Sequence, residues 1–385
     1  MKNEKQNIEV SDIFHRYGKE YLEKYKLCPV QHKAFNDIVS CRSESLGGHV
    51  QECDNCGFVK YAYNSCRNRH CPKCQYIKQI QWVDKLKSKL PPTRYFHLVF
   101  TIPQYLHKLF YLNQAAAYKL LFTASARALK ICANNPRYLG AQTGSVAVLH
   151  TWGQTLNYHP HIHMIVPAGG LSDDNMEWIP APMNFFLPVK VLGALFRGIL
   201  CNMIQQEIKS GKMKLPDDYQ SFRQLKDLLY SKPWNVYAKK PLAGPNRVIE
   251  YLGKYTHRVA ISNHRIISDD DARISFKCKD SKTGLFTRQV TLDALEFIDR
   301  FMRHILPSGF YKIRYYGIMS LGTVSQKTDL CFELIEKDCY LPVLEGLPAI
   351  DVYMQVSNKN PFCCPVCQKG KMKIIHKTIE PIKSG

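Results

Sequence analysis

The chain has 385 residues, 45% of them hydrophobic, which is enough for two or three folded domains and excludes a mainly disordered protein. Lysine and arginine exceed aspartate and glutamate by 53 − 32 = 21. So large a surplus favours nucleic acid as a partner, with an ordinary basic enzyme as the alternative. The first residues lack the apolar stretch of a signal peptide, and Lys190 and Arg197 interrupt the most apolar long window. We therefore expect a soluble, cytoplasmic protein without a membrane span.

The amino-terminal part combines helices with a cysteine-rich segment. Residues 10–40 have the pattern of two short helices, the second beginning at Pro29, because proline is favoured at the first helical position. Residues 41–76 are dense in Cys, His, Gly and Asn without periodicity, which is typical of a module organised by metal. A lysine-rich helix over residues 75–90 ends at two prolines. We place the boundary of a helical, zinc-binding and DNA-binding domain there, at residues 1–92.

Two Cys-x2-Cys pairs indicate tetrahedral zinc, because each pair places two thiolates on one turn and two pairs supply four sulfur ligands. Further donors lie close by, so the segment has material for one or two structural Zn²⁺ ions. The eight candidate ligands are Cys41, His49, Cys53, Cys56, Cys66, His70, Cys71 and Cys74. One division places the first four around one ion and the last four around the other, but spacing does not fix that choice.

Zinc with four protein ligands has no open position for catalysis, so this module is expected to bind DNA rather than to react with it. Basic side chains contact phosphates, and aromatic rings stack on unpaired bases. The candidate DNA-binding residues are Arg67, Arg69, Lys73 and Lys78, accompanied by Lys60, Tyr61, Tyr63 and Tyr76.

After residue 92 the pattern alternates between strands and helices. Strands are predicted at residues 95–102, 145–152, 161–167, 234–238, 258–267, 273–278 and 286–292, and helices at 115–133, 189–210, 219–230 and 245–255. This mixture predicts an α+β domain over residues 93–345, with a mainly antiparallel central sheet flanked by helices. Residues 346–385 form a basic tail with a partial cluster of Cys363, Cys364 and Cys367, to which His376 could add a ligand.

His161 and His163 are two apart on a predicted strand, so their side chains point to the same side and suit one divalent ion. If the preceding strand pairs with this one around a turn near Leu156, His150 lies opposite them. We prefer His150 as third ligand, with Gln154 as the alternative. Three protein ligands leave positions for a substrate phosphate. The plain alternative is that these histidines are packed polar residues of a half-buried strand.

Tyr251 and Tyr255 are four apart on the predicted helix that begins at Pro245, so both hydroxyls can share one face. A tyrosine hydroxyl, with a reference pKa of about 10, needs a nearby cation to attack at neutral pH. Lys254 and the ion held by the histidines could supply that field. Val248, Tyr251 and Tyr255 also form an ordinary apolar stripe, which on its own favours core packing.

In this order the motifs resemble those of the HUH nucleases, which are named for two histidines that flank a hydrophobic residue. More closely, the chain resembles the two-tyrosine rolling-circle transposases of bacterial insertion sequences over residues 41–317. The segments that carry the resemblance are Cys66-Arg67-Asn68-Arg69-His70-Cys71-Pro72-x-Cys74, His150-Thr151-Trp152-Gly153-Gln154, His159-Pro160-His161-x-His163 and Tyr251-Leu252-Gly253-x-Tyr255-Thr256-His257-Arg258.

The resemblance implies a single-strand DNA nuclease and strand transferase of a bacterial, nucleoid-associated type. His161 and His163, with His150, would hold Mg²⁺ or Mn²⁺ against the scissile phosphate. Tyr251 would attack and leave a free 3′-OH and a 5′-phosphotyrosine link, while Tyr255 would hold the second cleaved strand. No nucleotide cofactor is required. The implied partners are single-stranded DNA and hairpin transposon ends.

Three other functions fit parts of the pattern. A plasmid rolling-circle replication initiator would share the tyrosine chemistry but lack the zinc motif. A non-catalytic, zinc-dependent DNA-binding regulator fits the charge and the cysteines equally well. A zinc hydrolase is disfavoured because no carboxylate stands out near His161 as a general base.

Overall fold

The computed structural model describes residues 8–183, 187–242, 244, 248, 260–280, 283–320, 324–336 and 340–379. Its helices are α1 (Val10–Lys24), α2 (Pro29–Val39), α3 (Tyr76–Lys87), α4 (His107–Leu112), α5 (Gln114–Asn134), α6 (Val189–Lys209), α7 (Phe222–Tyr230), α8 (Ala294–Met302), α9 (Val324–Ile335) and α10 (Ala349–Ser357). Its strands are β1 (Gly48–Cys53), β2 (Val59–Tyr63), β3 (Tyr95–Thr101), β4 (Gly144–Trp152), β5 (Tyr158–Pro167), β6 (Gly169–Leu171), β7 (Trp178–Pro180), β8 (Val236–Leu242), β9 (Ile266–Asp270), β10 (Arg273–Cys278), β11 (Arg288–Asp293), β12 (Ile313–Gly317) and β13 (Met372–Ile379). Among the residues so described, no helix is long and apolar enough to cross a membrane.

A five-stranded sheet of order β12-β4-β5-β3-β8 forms the centre of the molecule, and all its neighbouring strands are antiparallel. Its strands are apolar on both faces because both faces are covered. Phe100 and Ile162 on one face belong to a fully buried cluster with Phe196 of α6. Val148 and Ile165 on the other face belong to a smaller cluster that α3 also contributes to. The α+β class with an antiparallel central sheet is confirmed.

A second core joins α1, α2 and α8 to the sheet of order β11-β10-β9. Its centre is aromatic: the rings of Phe14 and Phe35 stack 5.1 Å apart, and Phe301 meets Phe14 edge-on at 5.3 Å. Leu156, in the turn between β4 and β5, is fully buried in this same core. The tip of the central hairpin is thus held by the second core rather than by its own sheet.

The strand predicted over residues 258–267 is shorter in the structure. Within the described part, Asn263–Arg265 form a 3₁₀ turn and β9 begins at Ile266. Arg265 is the physical reason, since its buried guanidinium donates hydrogen bonds to the carbonyls of Lys277 and Gln154. The 3₁₀ turn directs the Arg265 side chain inward, between the segments that contain Lys277 and Gln154, so that both hydrogen bonds can form.

The carboxyl-terminal segment is part of a third sheet, of order β13-β1-β2. β13 pairs antiparallel with β1, with Cys53 opposite Met372 and Glu52 opposite Lys373. The sequence pattern predicted a basic tail with only a partial cysteine cluster. In the structure this segment instead adds a strand to the cysteine-rich module at the other end of the chain. Spacing along the sequence carries no information about such a distant pairing.

Candidate metal sites

Three histidines converge on one face of the central sheet, and we call them the histidine site: His150, His161 and His163. His150 lies directly opposite His161 across the β4–β5 pair, while His163 lies opposite Val148. One ring nitrogen from each lies within 4.8 Å of the others. The structure therefore brings together the three residues that the hairpin pattern predicted.

Hydrogen bonds orient two of these rings so that one nitrogen of each points into the site. His161 donates its Nδ1–H to the carbonyl of His159 at 2.6 Å, so its Nε2 carries the lone pair. Nδ1 of His163 lies 2.8 Å from Nε2 of His97, and Nε2 of His163 then faces Nε2 of His161 at 3.0 Å. Burial lowers the pKa of His161 to about 4, which keeps that ring neutral and able to bind metal.

The spacing of these nitrogens fits an octahedral ion. Two ligands at right angles, each about 2.1 Å from an ion, are about 3.0 Å apart. The separation of 3.0 Å between Nε2 of His161 and Nε2 of His163 matches that value. With three protein ligands, an octahedral ion keeps three positions for water or substrate oxygens.

Two neighbours of the site, His97 and Trp152, were not predicted as part of it. His97 on β3 is buried and contacts His163, but a lone histidine in an apolar strand shows no spacing until β3 and β5 are paired. Trp152 stacks on His150 with ring centroids 4.7 Å apart and an angle of 19° between the planes. Both contacts fix the orientation of a ring, which is the role that outer residues play around metal ligands.

The remaining residues proposed for catalysis are placed differently. Oε1 of Gln154, the alternative third ligand, accepts a hydrogen bond from the amide of Lys279 at 3.4 Å. His150 is the third member of the histidine group. Tyr251, Lys254 and Tyr255 lie outside the described residues.

The first cysteine cluster consists of Cys41, Cys66, Cys71 and Cys74, whose sulfurs lie within 4.8 Å of one another. Sγ of Cys74 lies 3.3 Å from that of Cys41 and 3.6 Å from that of Cys66. Cys41 and Cys71 are buried in the second core beside α1 and α8. Four thiolates at this spacing suit structural zinc.

The second cysteine cluster consists of Cys53, Cys56, Cys364 and Cys367, again with all sulfurs within 4.8 Å. It joins one amino-terminal Cys-x2-Cys pair to the pair near the carboxyl terminus. The structure thus corrects the division of ligands considered from spacing, in which neither Cys364 nor Cys367 took part.

The two histidines of that earlier division have other partners. Nε2 of His49 lies 3.0 Å from the side-chain nitrogen of Gln51. Nε2 of His70 accepts from the amide of Leu306 at 3.1 Å, and burial lowers the pKa of His70 to about 3. The hydrogen bond of His70 therefore connects the loop of the first cysteine cluster to the segment after α8. Among the described residues, neither His49 nor His70 belongs to a cysteine cluster.

The candidate DNA-binding residues divide into two kinds. Arg69 donates to the carbonyls of Phe310 and Pro307 at 2.5 and 2.7 Å, and Lys73 forms an ion pair with Glu9, so both cations have internal partners. Other cations and rings of the module face solvent: Arg67, Lys78, Lys60, Tyr61 and Tyr76. Tyr61 is 60% exposed and its ring stacks on that of Tyr63.

Comparison with known proteins agrees with this geometry. A family model described as "Putative transposase" matches residues 144–327, and one described as "Transposase zinc-binding domain" matches residues 13–102. The chain is 41% identical over 373 residues to "Putative transposase y4qJ" of Sinorhizobium fredii (strain NBRC 101917 / NGR234), which covers 94% of each chain. It is 27% identical over 364 residues to the "Transposase for insertion sequence element IS801" of Pseudomonas savastanoi pv. phaseolicola, covering 90% of this chain and 84% of that one. No solved structure matches the chain.

Proposed function

Because the chain belongs to the family of transposases that includes y4qJ and carries an amino-terminal zinc-binding domain, we propose a specific chemistry for it. It cleaves and rejoins single-stranded DNA at transposon ends through 5′-phosphotyrosine intermediates, in transposition of the rolling-circle type. The observation that carries this proposal is the convergence of His150, His161 and His163 on one face of an antiparallel sheet. Family membership favours transposition over plasmid replication, which uses the same tyrosine chemistry.

The position of Val248 supports a nucleophile near this face. Val248 is fully buried in the cluster that also contains Val148 and Ile165, which lie beside the histidines on the same side of the sheet. Tyr251 follows Val248 by three residues, the spacing that places two residues on one face of a helix. In the helix that the sequence predicts over residues 245–255, Tyr251 and Tyr255 would share one face with Val248.

The roles of the residues follow from this arrangement. The chemistry that a bound divalent ion supplies is polarisation of the scissile phosphate, and Mg²⁺ and Mn²⁺ are the candidates. His150, His161 and His163 would hold that ion beside the phosphate, while Tyr251 forms the 5′-phosphotyrosine bond and releases a 3′-OH. Tyr255 forms the covalent link to the second cleaved strand. The positive charge of Lys254 stabilises the deprotonated hydroxyl of the attacking tyrosine. The free energy of the broken bond is kept in the protein–DNA link, so no nucleotide cofactor is needed.

The zinc module provides the DNA contacts in this proposal. Its exposed Arg67 and Lys78 can contact phosphates, and the exposed ring of Tyr61 can stack on an unpaired base. Hairpins at transposon ends present both a folded backbone and unpaired bases. These contacts would hold the single strand next to the hairpin over the histidine site.

The test is formation of a covalent protein–DNA adduct. Zinc-loaded protein is incubated with 3′-labelled single strands from the sequences that flank its gene, with Mg²⁺ or Mn²⁺, and is resolved on a denaturing gel. We expect an adduct that requires the ion, disappears in His161→Ala, and is lost in the Tyr251→Phe/Tyr255→Phe double variant. Each single tyrosine variant then identifies which nucleophile cuts first.

The matched control is Tyr311→Phe, a tyrosine that is 80% exposed and remote in sequence from the motif. It should form the adduct as the wild type does. Absence of an adduct with either flanking sequence, or an adduct that survives in the double tyrosine variant, would overturn the proposed chemistry and favour a DNA-binding regulator.

A further inference from the structure

The second cysteine cluster is assembled from both ends of the chain. Cys53 and Cys56 lie within the segment matched by the zinc-binding family model, residues 13–102, whereas Cys364 and Cys367 lie far outside it. Cys53 and Cys367 are 314 residues apart in sequence, yet their sulfurs are 3.7 Å apart. We propose that the two chain ends form one zinc ribbon, in which Zn²⁺ bound by these four cysteines holds the carboxyl-terminal strand to the amino-terminal module.

The sulfur spacing supports zinc. A tetrahedral ion with zinc–sulfur bonds of about 2.3 Å places its ligands about 3.8 Å apart. The sulfurs of Cys53 and Cys367 are 3.7 Å apart, and those of Cys56 and Cys364 are also 3.7 Å apart. A disulfide would need about 2.05 Å between sulfurs, so the geometry is that of a metal site.

The two Cys-x2-Cys turns share a backbone pattern. The amide of Gly57 donates to the carbonyl of Cys53, and the amide of Gln368 donates to the carbonyl of Cys364, the same four-residue bond in both turns. Gly57 and Gln368 both have positive φ, 69° and 55°. Two turns with one geometry, facing each other, are what a tetrahedral site made of two pairs requires.

Backbone amides also point at the sulfurs. The amide of Asn55 donates to Sγ of Cys53 at 3.4 Å, and the amide of Gly370 donates to Sγ of Cys367 at 3.3 Å. Such bonds stabilise thiolate charge and orient metal ligands. Gly370 must be a glycine, because a Cβ there would overlap Sγ of Cys53 and the side chain of Asn55. The two turns therefore fit together closely.

Polar contacts fix the register between the ends. Asp54 accepts from the amide of Lys371 at 2.8 Å and forms an ion pair with Lys373 at 3.3 Å. Apolar support is small by contrast, since the buried cluster here comprises Cys53, Cys364 and Met372 with two half-buried neighbours. So few apolar residues cannot hold a strand without another source of stability, and the zinc ion supplies it.

The first experiment is the zinc content of the full-length protein and its variants, measured by native mass spectrometry with His161→Ala present throughout, so that the histidine site adds no zinc ion. The wild type should bind two zinc ions per chain. The Cys364→Ser/Cys367→Ser and Cys53→Ser/Cys56→Ser variants should each bind one. The matched control is Cys363→Ser, since Cys363 is exposed, adjoins the ligands and is outside the cluster, and it should bind two.

A measurement on the wild type guards against variants that fail to fold. Cobalt(II) substituted for zinc should show thiolate-to-cobalt absorption for eight sulfurs per chain, and half of it should remain in Cys364→Ser/Cys367→Ser. Limited proteolysis should cut residues 358–379 in that variant at least tenfold faster than in the Cys363→Ser control. One zinc in the wild type, or two in Cys364→Ser/Cys367→Ser, would overturn the proposal. None of these measurements involves DNA, so they fail or succeed independently of the proposed nuclease chemistry.

Discussion

Each of the two cysteine clusters consists of four cysteines, but the two lie in different parts of the molecule. The first cluster lies within a short segment, and its Cys41 and Cys71 are buried in the core that also takes Leu156, the tip of the histidine hairpin. The second cluster joins residues more than 300 positions apart and has an exposed member, Cys56. Zinc bound in the first cluster would therefore support the fold around the histidine site, whereas zinc bound in the second would join β13 to the peripheral sheet.

This difference predicts unequal costs when one ligand of each cluster is lost. Cys71→Ser should lower the free energy of unfolding by more than about 4 kcal/mol, because removing a buried structural metal site is among the most damaging single changes. Adduct formation should fall with it, since Leu156 shares the core with Cys71. Thermal unfolding and the adduct assay measure the two effects. Cys28→Ser is the control, because Cys28 is exposed and serine caps α2 equally well.

Equal decreases of the melting temperature in Cys71→Ser and Cys364→Ser would contradict the unequal roles of the two clusters. So would a Cys71→Ser protein whose zinc module unfolds while the adduct forms at the wild-type rate. Either result would mean that the hairpin tip does not depend on the first cluster.

His304 connects the β4–β5 hairpin to the second core, and its ionisation makes the stability of this contact depend on pH. Its Nε2–H donates to the carbonyl of Leu156 at 3.0 Å, and its Nδ1 accepts from the hydroxyl of Thr151 at 3.1 Å. Burial lowers the pKa of His304 from 6.5 to about 4, with a smaller contribution from the charge of Arg303. The unfolded chain thus gains a proton as pH falls through 6.5, and the folded chain does so only near pH 4. The part of the free energy of unfolding that depends on uncharged His304 is therefore fully present above pH 6.5 and is lost as the pH falls from 6.5 to about 4.

His304→Gln should remove this part of the pH dependence while it keeps one donor and one acceptor. The wild type should lose about 2 kcal/mol more than the variant between pH 7 and pH 5, which follows from the shift at about 1.4 kcal/mol per pKa unit. Urea unfolding of both proteins at the two pH values measures the difference. Parallel loss of stability in wild type and variant would contradict the lowered pKa, because it would mean that His304 binds its proton equally well in the folded and the unfolded chain.

His97 lies on β3 of the central sheet and belongs to neither cysteine cluster, so it affects the histidine site alone. His97→Leu removes the partner of Nδ1 of His163 and should weaken metal binding about 10-fold or more, as is typical of residues that orient a ligand. His97→Gln can still accept that hydrogen bond and should recover most of the affinity. The measurement is the Mn²⁺ concentration for half-maximal adduct, and zinc content should stay at the wild-type value. Equal Mn²⁺ dependence in the Leu variant and the wild type would exclude a positioning role for His97.

Local spacing explains what the sequence could predict. The period of two in His161 and His163, together with a short turn, was enough to place His150 opposite them and to identify the histidine site. Two unmatched thiolates at Cys364 and Cys367 were the available sign of a missing partner. The partner could not be identified, because the pairing of β13 with β1 depends on how a chain of more than 300 intervening residues folds. His97 was missed for the same reason, since its contact exists only across a strand pair.

The smallest predicted effect concerns the residues with positive φ in the two Cys-x2-Cys turns of the second cluster. Gln368 has φ 55° where the matching residue of the other turn is Gly57, and a non-glycine residue in this region costs about 1 kcal/mol. Gln368→Gly should therefore slow the release of the second zinc to a chelator about fivefold, and Gly57→Ala, whose Cβ would meet no atom within 4 Å, should speed it by a similar factor. Release of the first zinc should not change in either variant. Opposite shifts would show that the turns at the two chain ends are equivalent halves of one site, whereas equal effects on both zinc ions would show that the clusters are not independent.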